Sequence, residues 1–460
     1  MKKIELNIEN MELQNHLSTI CFSVKENGGR AVLVGGSVRD AVLGIAAKDL
    51  DIEVYGIQPE KLFGMLSQQF RIDLVGQAFG VIKIHNLPID VSIPRRESKS
   101  GLGHKGFEVN SDPEMTIEEA AYRRDFTMNA MAFDPLTKEV IDPYGGLSDI
   151  KNNVLRHTSE KFVEDPLRVL RGMQFAARFN LEVAPETINL CQTIKPEGLP
   201  AERIFEEWRK LLLYGKQPSR GLKFLRDCGW ISYFPELKAL IGCEQEKDWH
   251  PEGDVWTHTL YCLDAFASER IGDEWEDLVV GLAVLCHDFG KPLTTKFEEG
   301  RIRSWGHEAA GEAPTRSFLD RMTNHIELIK AVMPLVTNHL CPKEFFDVQA
   351  GDSAIRRLAR RVERIDRLVR VSRADQAGRP PMKFDGFPAG DWLLERARAL
   401  EVEDSAPKPI VMGRHLIELG LEPGQHFGKI LDECYDAQIE GKFSTLSEGI
   451  VYAKCIIETV

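Results

Sequence analysis

No run of about 18 apolar residues, the length a helix needs to cross a bilayer, occurs in this chain. No membrane partner is therefore expected. The opening MKKIELNIENMELQ has two lysines but no apolar segment behind them, so no secretory signal is expected and the cytoplasm is the expected compartment. The nine cysteines never form a C-x-x-C pair, which argues against a disulfide framework and against a cysteine-built zinc site. Positive charge is also scarce: 58 Lys and Arg stand against 71 Asp and Glu, a formal net charge of -13. That balance speaks against a nucleic-acid partner, although a local basic stripe is enough to hold phosphates. Internal repeats and low-complexity tracts are missing too. What remains, 43% hydrophobic and 28% charged over 460 residues, describes a globular chain of three or four structural units.

Two basic stripes stand out. Arg203–Arg226 carries seven Lys/Arg against two glutamates, and Arg356–Arg373 carries eight arginines against Glu363 and Asp366. Leu358, Val362, Ile365 and Val369 follow helical spacing, so the second stripe reads as one amphipathic helix with an arginine-rich outer face. Residues 30–155 alternate short strands (Ala31–Gly35, Leu50–Tyr55, Ile72–Val75, Val81–His85, Ile89–Ile93) with helices (Ser37–Leu43, Pro59–Phe70). From about Glu164 onward nearly everything reads as helix, with Pro- and Gly-marked loops. The expected architecture is an α/β head followed by a long helical body.

The segment LVGGSVRDAVLGIAAKDLDIEVYG, Leu33–Gly56, carries the strongest chemical signal. Residues two apart in a strand share a face and lie roughly 7 Å apart. Asp49 and Asp51 can therefore aim at one point while Leu50, Ile52 and Val54 face a core. A bare D-x-D is more often an acid pair at a strand edge. Here Gly35, Gly36 and Arg39 come just before it, and two hard oxygen donors beside a backbone-exposing turn suit a magnesium–triphosphate complex. Asp90, in the apolar strand LPIDVSI, could add a third carboxylate or be a surface strand-end acid, with Arg95 and Arg96 offering charge to phosphates. Ser98–Gly106 reads as a flexible basic loop, the kind that gates a site.

RRDFTMNA supplies Arg123, Arg124, Asp125 and Asn129; arginine suits bidentate phosphate contact and asparagine a sugar hydroxyl or a turn. In EDPLRVLRGMQFAAR, Pro166 suits a first helical turn, and Asp165, Arg168 and Arg171 follow at i, i+3 on one face. A carboxylate accepts from the amino group of cytosine or adenine, and a guanidinium donates to the adjacent ring nitrogen. Uracil and guanine present the reverse order and would be refused. The plainer reading of this spacing is an intrahelical salt bridge.

The strings GGSVRD, KDLDIEV, RRDFTMNA, DPYGGLSDIKNNVLRH, EDPLRVLR and AERIFEEWRKLL, in this order, resemble the bacterial class of tRNA nucleotidyltransferases, the CCA-adding enzymes. Bacterial poly(A) polymerases share most of the pattern. The resemblance spans about residues 30–245. It implies an α/β nucleotidyltransferase head, Mg²⁺ on Asp49 and Asp51, and Asp90 as a third acidic position acting as ligand or general base. It implies nucleotide contacts at Gly36, Arg39, Arg124 and Arg171; Gly35, Asp125 and Asn129, next to these, are expected to join the nucleotide-binding set. Asp165 and Arg168 match the amino-acid template that selects CTP and ATP. One departure is Gln174, where the family usually has arginine, which costs a charged phosphate or base contact.

Downstream, WHPEGDVWTHT contains His258, LCHDFGK contains His287 and Asp288, GHEAAG contains His307, and SRADQAGR contains Asp375. The order H…HD…D of His258, His287, Asp288 and Asp375 resembles the HD phosphohydrolase superfamily. Imidazoles with carboxylates favour a first-row transition ion such as Mn, Co or Ni that activates water. The expected division is a catalytic head over 1–155, an all-α neck and body over 156–245 for nucleotide selection and tRNA, an all-α HD domain over 246–400, and a helical tail over 401–460. The expected function is CCA addition to tRNA from CTP and ATP, with a second hydrolysis of 2′,3′-cyclic phosphates. Poly(A) polymerase or a partial CC- or A-adding enzyme is the alternative.

Overall fold

Alternating apolar residues draw the first part of the chain into a sheet. The computed structural model describes residues 8, 10–74, 81–99 and 107–458, and the chain forms two compact units, Met1–Ser232 and Tyr233–Val460. The first begins with α1 (Met11–Glu26), β1 (Arg30–Val34), α2 (Gly36–Val42), β2 (Leu50–Tyr55), α3 (Pro59–Ser67), β3 (Ile72–Leu74), β4 (Val81–Ile84) and β5 (Ile89–Ser92). A hairpin of β6 (Arg95–Lys99) and β7 (Phe107–Ser111) follows, then α4 (Ile117–Tyr122), β8 (Ala132–Asp134) and β9 (Glu139–Ile141). Seven strands join in the order β3-β4-β5-β2-β1-β8-β9, with β2 and β5 parallel and the other pairs antiparallel.

One face of this sheet is sealed. Leu50, Ile52 and Val54 from β2 and Ile89 and Val91 from β5 pack with Leu13, Leu17 and Ile20 of α1 and Leu62 and Leu66 of α3. Each such side chain contributes about 1.5–3 kcal/mol on burial. A one-residue slip in β2 would drive Asp51 into that core, so the apolar set holds the acidic set in register. Asp51 and Asp90 are direct partners across β2 and β5.

Two expectations need correcting here. Ser98 and Lys99 belong to β6 rather than to a loop, because they pair with β7; residues 100–106 of that segment lie outside the described residues, as does Val75. Helix α1 was not expected, although its cap was readable: Asn10 accepts from Glu12 N and Leu13 N.

The rest of this unit is helical: α5 (Gly146–Lys151), α6 (Leu167–Phe179), α7 (Pro185–Gln192), α8 (Ala201–Tyr214) and α9 (Pro218–Asp227), with one short parallel pairing of 154–155 with 182–183. Asp142 accepts from Gly146 N and Leu147 N at the start of α5, which is what the DPYGG string does locally.

The second unit is almost wholly helical, apart from a hairpin pairing Lys296–Glu298 with Arg301–Arg303 that sequence reading missed. Helix Glu274–Cys286 buries every residue from Asp277 to Cys286, so it runs through a core. The stripe at 356–373 is two helices, Asp352–Val362 and Ile365–Ala377, not one, because Glu363 adopts φ 59° and breaks the first. Its arginines are largely consumed internally: Arg364 and Arg367 pair with Glu276, Arg370 with Asp277, Arg373 with Asp391 and Arg360 with Asp436. Residues from Val411 to Ile456 close a small core of their own. No described helix is long and apolar enough to cross a membrane.

Candidate functional site

On the open face of the head, the turn after β1 brings the backbone against the acids. Gly35 has φ 72°, and a Cβ there would lie 3.1 Å from Arg124 Nη1 and 3.5 Å from Asp51 Oδ2. Only glycine gives this turn both its left-handed backbone and its closeness to the carboxylate. Asp49 lies in the bend just before β2. Although Asp51 faces solvent, desolvation by the surrounding protein raises its carboxyl above the ordinary value; Arg124 opposes the rise, and Asp49, Asp90 and Glu53 reinforce it. Four acids thus share one field with a single opposing guanidinium close by. A hard cation relieves that repulsion, so the donor set fits Mg²⁺.

Sequence reading missed Glu53, two residues beyond Asp51 on the same strand face, where it accepts from Tyr55 Oη at 2.6 Å and lies 3.6 Å from Arg124. It also missed Lys83, whose Nζ is 3.5 Å from Asp90. Arg96 is committed to Asp112 at 2.5 Å instead of offering its charge to phosphates.

A chain of polar contacts crosses from α2 to α6. Arg39 Nη1 donates to Asn129 Oδ1 at 2.9 Å, Asn129 Nδ2 donates to Asp125 Oδ1 at 3.0 Å, and Arg171 donates to Asp125 Oδ2 from Nε at 2.7 Å, with Nη2 at 2.6 Å. Gly36 leaves room for the Arg39 guanidinium, which stands 4.7 Å over the Phe179 ring and 5.4 Å over Phe175; Arg171 stands 5.1 Å over Phe175. Burial acts to raise the Asp125 carboxyl, but Arg171, Asn129 and Phe126 N hold it below the ordinary value. Asp125 thereby sets the Arg171 guanidinium directly and reaches Arg39 only through Asn129; Asp40 fixes the Arg39 plane, accepting from Nε at 2.8 Å and lying 2.7 Å from Nη2.

Asp165 and Arg168 behave differently from an intrahelical pair. Asp165 is extended, two residues before α6 rather than on its face; its Oδ1 accepts from Leu167 N at 3.1 Å and its Oδ2 from Arg203 at 3.1 Å. Arg168 donates to the carbonyls of Lys161 (2.8 Å) and Arg123 (2.6 Å), which leaves three of its five N–H groups beyond those two bonds. Pro166 sits at the cap position, just before the first turn. Arg203, seen in the sequence only as part of a basic stripe, is what holds Asp165. Gln174 is 2% exposed and its Oε1 has no hydrogen-bond partner.

In the second unit His258, His287, Asp288 and Asp375 do converge, all buried. His258 Nε2 is 3.0 Å from Asp375 Oδ1 and 3.8 Å from Asp288 Oδ2, and His287 Nε2 is 3.3 Å from Asp288 Oδ2. Two further histidines join at Asp288 Oδ1, His307 at 3.4 Å and His339 at 4.0 Å. His307 was visible in GHEAAG without a role, and His339 gave no signal.

The backbone sets three of these rings: the Nδ1 of His287, His307 and His339 bonds to the carbonyls of Val284, Ser304 and Val336 at 2.8, 2.9 and 2.8 Å. A carbonyl only accepts, so Nδ1 carries a proton and Nε2 is the nitrogen turned inward. His287 Nε2 has no hydrogen-bond partner. Burial pushes His339 down to about 3, with His287 and His307 adding to it. Burial likewise acts to lower His287, but Asp288 holds it up to about 10. A proton stands there where the carboxylates call for a cation, and a metal ion would replace it. Lys291 lies 2.8 Å from Asp288 Oδ2, and Arg379 2.8 Å from Asp375 Oδ1.

A cavity of about 680 Å³ opens onto Asp288, Asp375 and His307, rimmed by Trp249, Trp305 and Arg301.

Comparison with known proteins follows this geometry. The family described as the poly A polymerase head domain matches residues 31–156, and that of a probable RNA and SrmB-binding site of polymerase A matches 180–241. The fold and the acidic face define a nucleotidyltransferase head on a mostly helical body. The multifunctional CCA protein of Laribacter hongkongensis is 37% identical over 369 residues, covering 78% of this chain and 87% of that one. That of Xylella fastidiosa is 36% identical over 392 residues, covering 81% and 90%. The solved CCA-adding enzyme of Bacillus stearothermophilus, in complex with CTP, shares the fold at TM-score 0.66 and 23% identity, covering 98% of each chain. The chain belongs to the multifunctional CCA protein family.

Proposed function

We propose that this chain adds CCA to tRNA 3′ ends from CTP and ATP, releasing pyrophosphate, and that its helical unit, over about 246–400, is a metal-dependent phosphohydrolase. The observation that carries the first activity is the convergence of Gly35, Asp51 and Arg124 beside the Arg39–Asn129–Asp125–Arg171 chain. The tRNA 3′ oxygen attacks the α-phosphorus of the nucleotide, loses its proton, and the bond to the bridging oxygen of pyrophosphate breaks. Asp49 and Asp51 would hold Mg²⁺, which supplies charge neutralisation at the triphosphate when bound. Asp90 acts from the neighbouring strand as a further ligand or as general base. Arg39, Arg124 and Arg171 hold phosphates, and Asn129 a sugar hydroxyl.

Asp165 accepts from the base amino group and Arg168 donates to the adjacent ring nitrogen, so C and A are taken and U and G refused. Because Arg203 and two backbone carbonyls hold this pair, it presents one geometry to both bases. The solved relatives include complexes with CTP, with ATP and with tRNA, which supports these substrates here. The test is incubation of tRNA transcripts lacking CCA with labelled CTP and ATP, separately and together. Three added residues ending in A support the reading. Long adenylate tails would make the chain a poly(A) polymerase, and a stop after CC or A alone would make it a partial enzyme.

For the second activity, the support is the buried His287 Nε2 without a hydrogen-bond partner beside the Asp288 carboxylate, whose Oδ1 makes no hydrogen bond and whose Oδ2 is ion-paired with Lys291 at 2.8 Å. These residues, with His258 and Asp375, would hold a first-row transition ion, which supplies an activated water. Arg379 and Lys291 offset the carboxylate charge, and Trp249 and Trp305, both exposed, offer flat faces to a nucleobase. A 2′,3′-cyclic nucleotide is the expected substrate, assayed with Mn²⁺, Co²⁺ or Ni²⁺ added. The cytoplasm, where tRNA is processed, is the compartment this reading requires.

A further inference from the structure

We infer that Cys262 is a ligand of the ion held by the His258 cluster, so that sulfur joins nitrogen and oxygen there. The inference rests on the metal reading of that cluster. Cys262 follows His258 by one helical turn on the same face of helix Val255–Ser268, and it is fully buried. Its Sγ lies 3.3 Å from His258 Nε2, the nitrogen that also has Asp375 Oδ1 at 3.0 Å. Donor atoms of His258, Cys262, His287 and Asp375 all fall within 4.8 Å of one another. Ligands on neighbouring corners of one ion, at about 2.0 Å for nitrogen or oxygen and about 2.3 Å for sulfur, sit about 2.8–3.5 Å apart between octahedral and tetrahedral angles, so Asp288 and a water still find places.

Two further observations point the same way. His287 Nε2, on the helix opposite, is buried without a hydrogen-bond partner. At Gly378, just past Asp375, a Cβ would stand 2.3 Å from Cys262 Sγ, so the absence of a side chain at 378 is what gives the sulfur its place. A thiolate among imidazoles selects softer ions, Zn²⁺ or Co²⁺, over Mn²⁺ or Mg²⁺.

The full chain, in excess Mg²⁺ to occupy the head, is loaded with Co²⁺ and with Zn²⁺. Thiolate ligation gives an intense near-ultraviolet sulfur-to-cobalt band, and X-ray absorption of the zinc form gives a scattering shell at about 2.3 Å beside the one at about 2.0 Å. Both signals vanish in Cys262→Ser and persist in Cys455→Ser, which removes the exposed cysteine. One cobalt bound per chain with neither signal overturns the thiolate ligand and leaves the histidine–carboxylate site standing. Failure to bind either ion overturns the site and the ligand together. The wild-type absorption spectrum decides the matter even where the serine variant does not fold.

Discussion

Replacing Asp125 with asparagine tests whether one buried carboxylate sets Arg171. Asparagine keeps the shape, and its oxygen can still accept from Asn129 Nδ2 and Phe126 N, as Asp125 Oδ1 does at 3.0 and 2.8 Å. Its amide nitrogen then faces Arg171 Nε and Nη2, so donor meets donor where two bonds stood at 2.7 and 2.6 Å. Two charge-assisted bonds at about 1.5–3 kcal/mol each are lost. The Arg171 side chain is 33% exposed and recovers part of that by hydration. The net cost is about 3 kcal/mol, at the lower edge of what breaking a buried pair costs. At about 2–4 °C per kcal/mol for a unit of this size, the head's thermal transition should drop by about 6–12 °C, read by calorimetry.

The pH dependence carries a sign. The folded carboxyl is held below its ordinary value, so its stabilisation is fully present above the unfolded value of about 3.9 and is lost as pH falls through the folded one. The gap between wild type and Asp125→Asn should therefore be flat from pH 5 to 8 and close only below about pH 4. Nucleotide incorporation should fall more than tenfold, since Arg171 loses its alignment. A transition lowered by less than about 2 °C would show that the carboxylate does not anchor the Arg171 guanidinium.

Other outcomes are expected from the same geometry. Asp51→Ala should abolish CTP incorporation while leaving the transition within a few degrees of wild type, because the side chain faces solvent; incorporation within tenfold of wild type would remove it from the metal site. Gly35→Ala should cost about 1–3 kcal/mol of strain, because φ 72° with ψ -132° is a conformation kept for glycine, and should reduce incorporation far more than that, measured by urea denaturation beside the CTP assay. Asp165→Ala should lose discrimination against UTP and GTP along with most CTP and ATP use, and Arg203→Ala should reproduce this in part; unchanged C/A preference would make Asp165 a helix cap alone. His287→Ala combined with Asp288→Ala should abolish metal-stimulated hydrolysis of a 2′,3′-cyclic nucleotide and leave CCA addition intact, both measured on one preparation.

The acidic strand was legible because its information is local. D-x-D spacing, a glycine pair and a two-residue period all fall within 24 residues, Leu33–Gly56, and backbone geometry converts them directly into a face. The Arg39–Asn129–Asp125–Arg171 chain was legible only as separate members. Its links span up to 90 positions, and nothing in a one-dimensional string says which asparagine an arginine will meet. Asp165 shows the limit more sharply. Its spacing to Arg168 suggested a shared helix face, yet Pro166 caps a helix that begins at Leu167 and leaves Asp165 extended, free to pair with Arg203. The arginine stripe at 356–373 failed for the converse reason: helical periodicity was right on each side of Glu363, but the count of charges said nothing of Glu276, Asp277 and Asp391, which neutralise them.

The histidine cluster shows why His339 escaped notice and His307 was seen without a role, while His287 had one. His287 announces itself through the adjacent Asp288 of the HD pair, whereas His307 stands beside Glu308 in a string that fits no ligand pattern and His339 stands beside no acid. What makes all three alike is the carbonyl three residues back, at Val284, Ser304 and Val336. Each carbonyl accepts from Nδ1–H and so fixes the ring with Nε2 turned inward. This device depends on backbone conformation at the end of a helix or turn, so any residue type can supply the carbonyl and no motif records it. A histidine's chemistry in this unit is decided by its second nitrogen, and that nitrogen's partner exists only once the chain has folded.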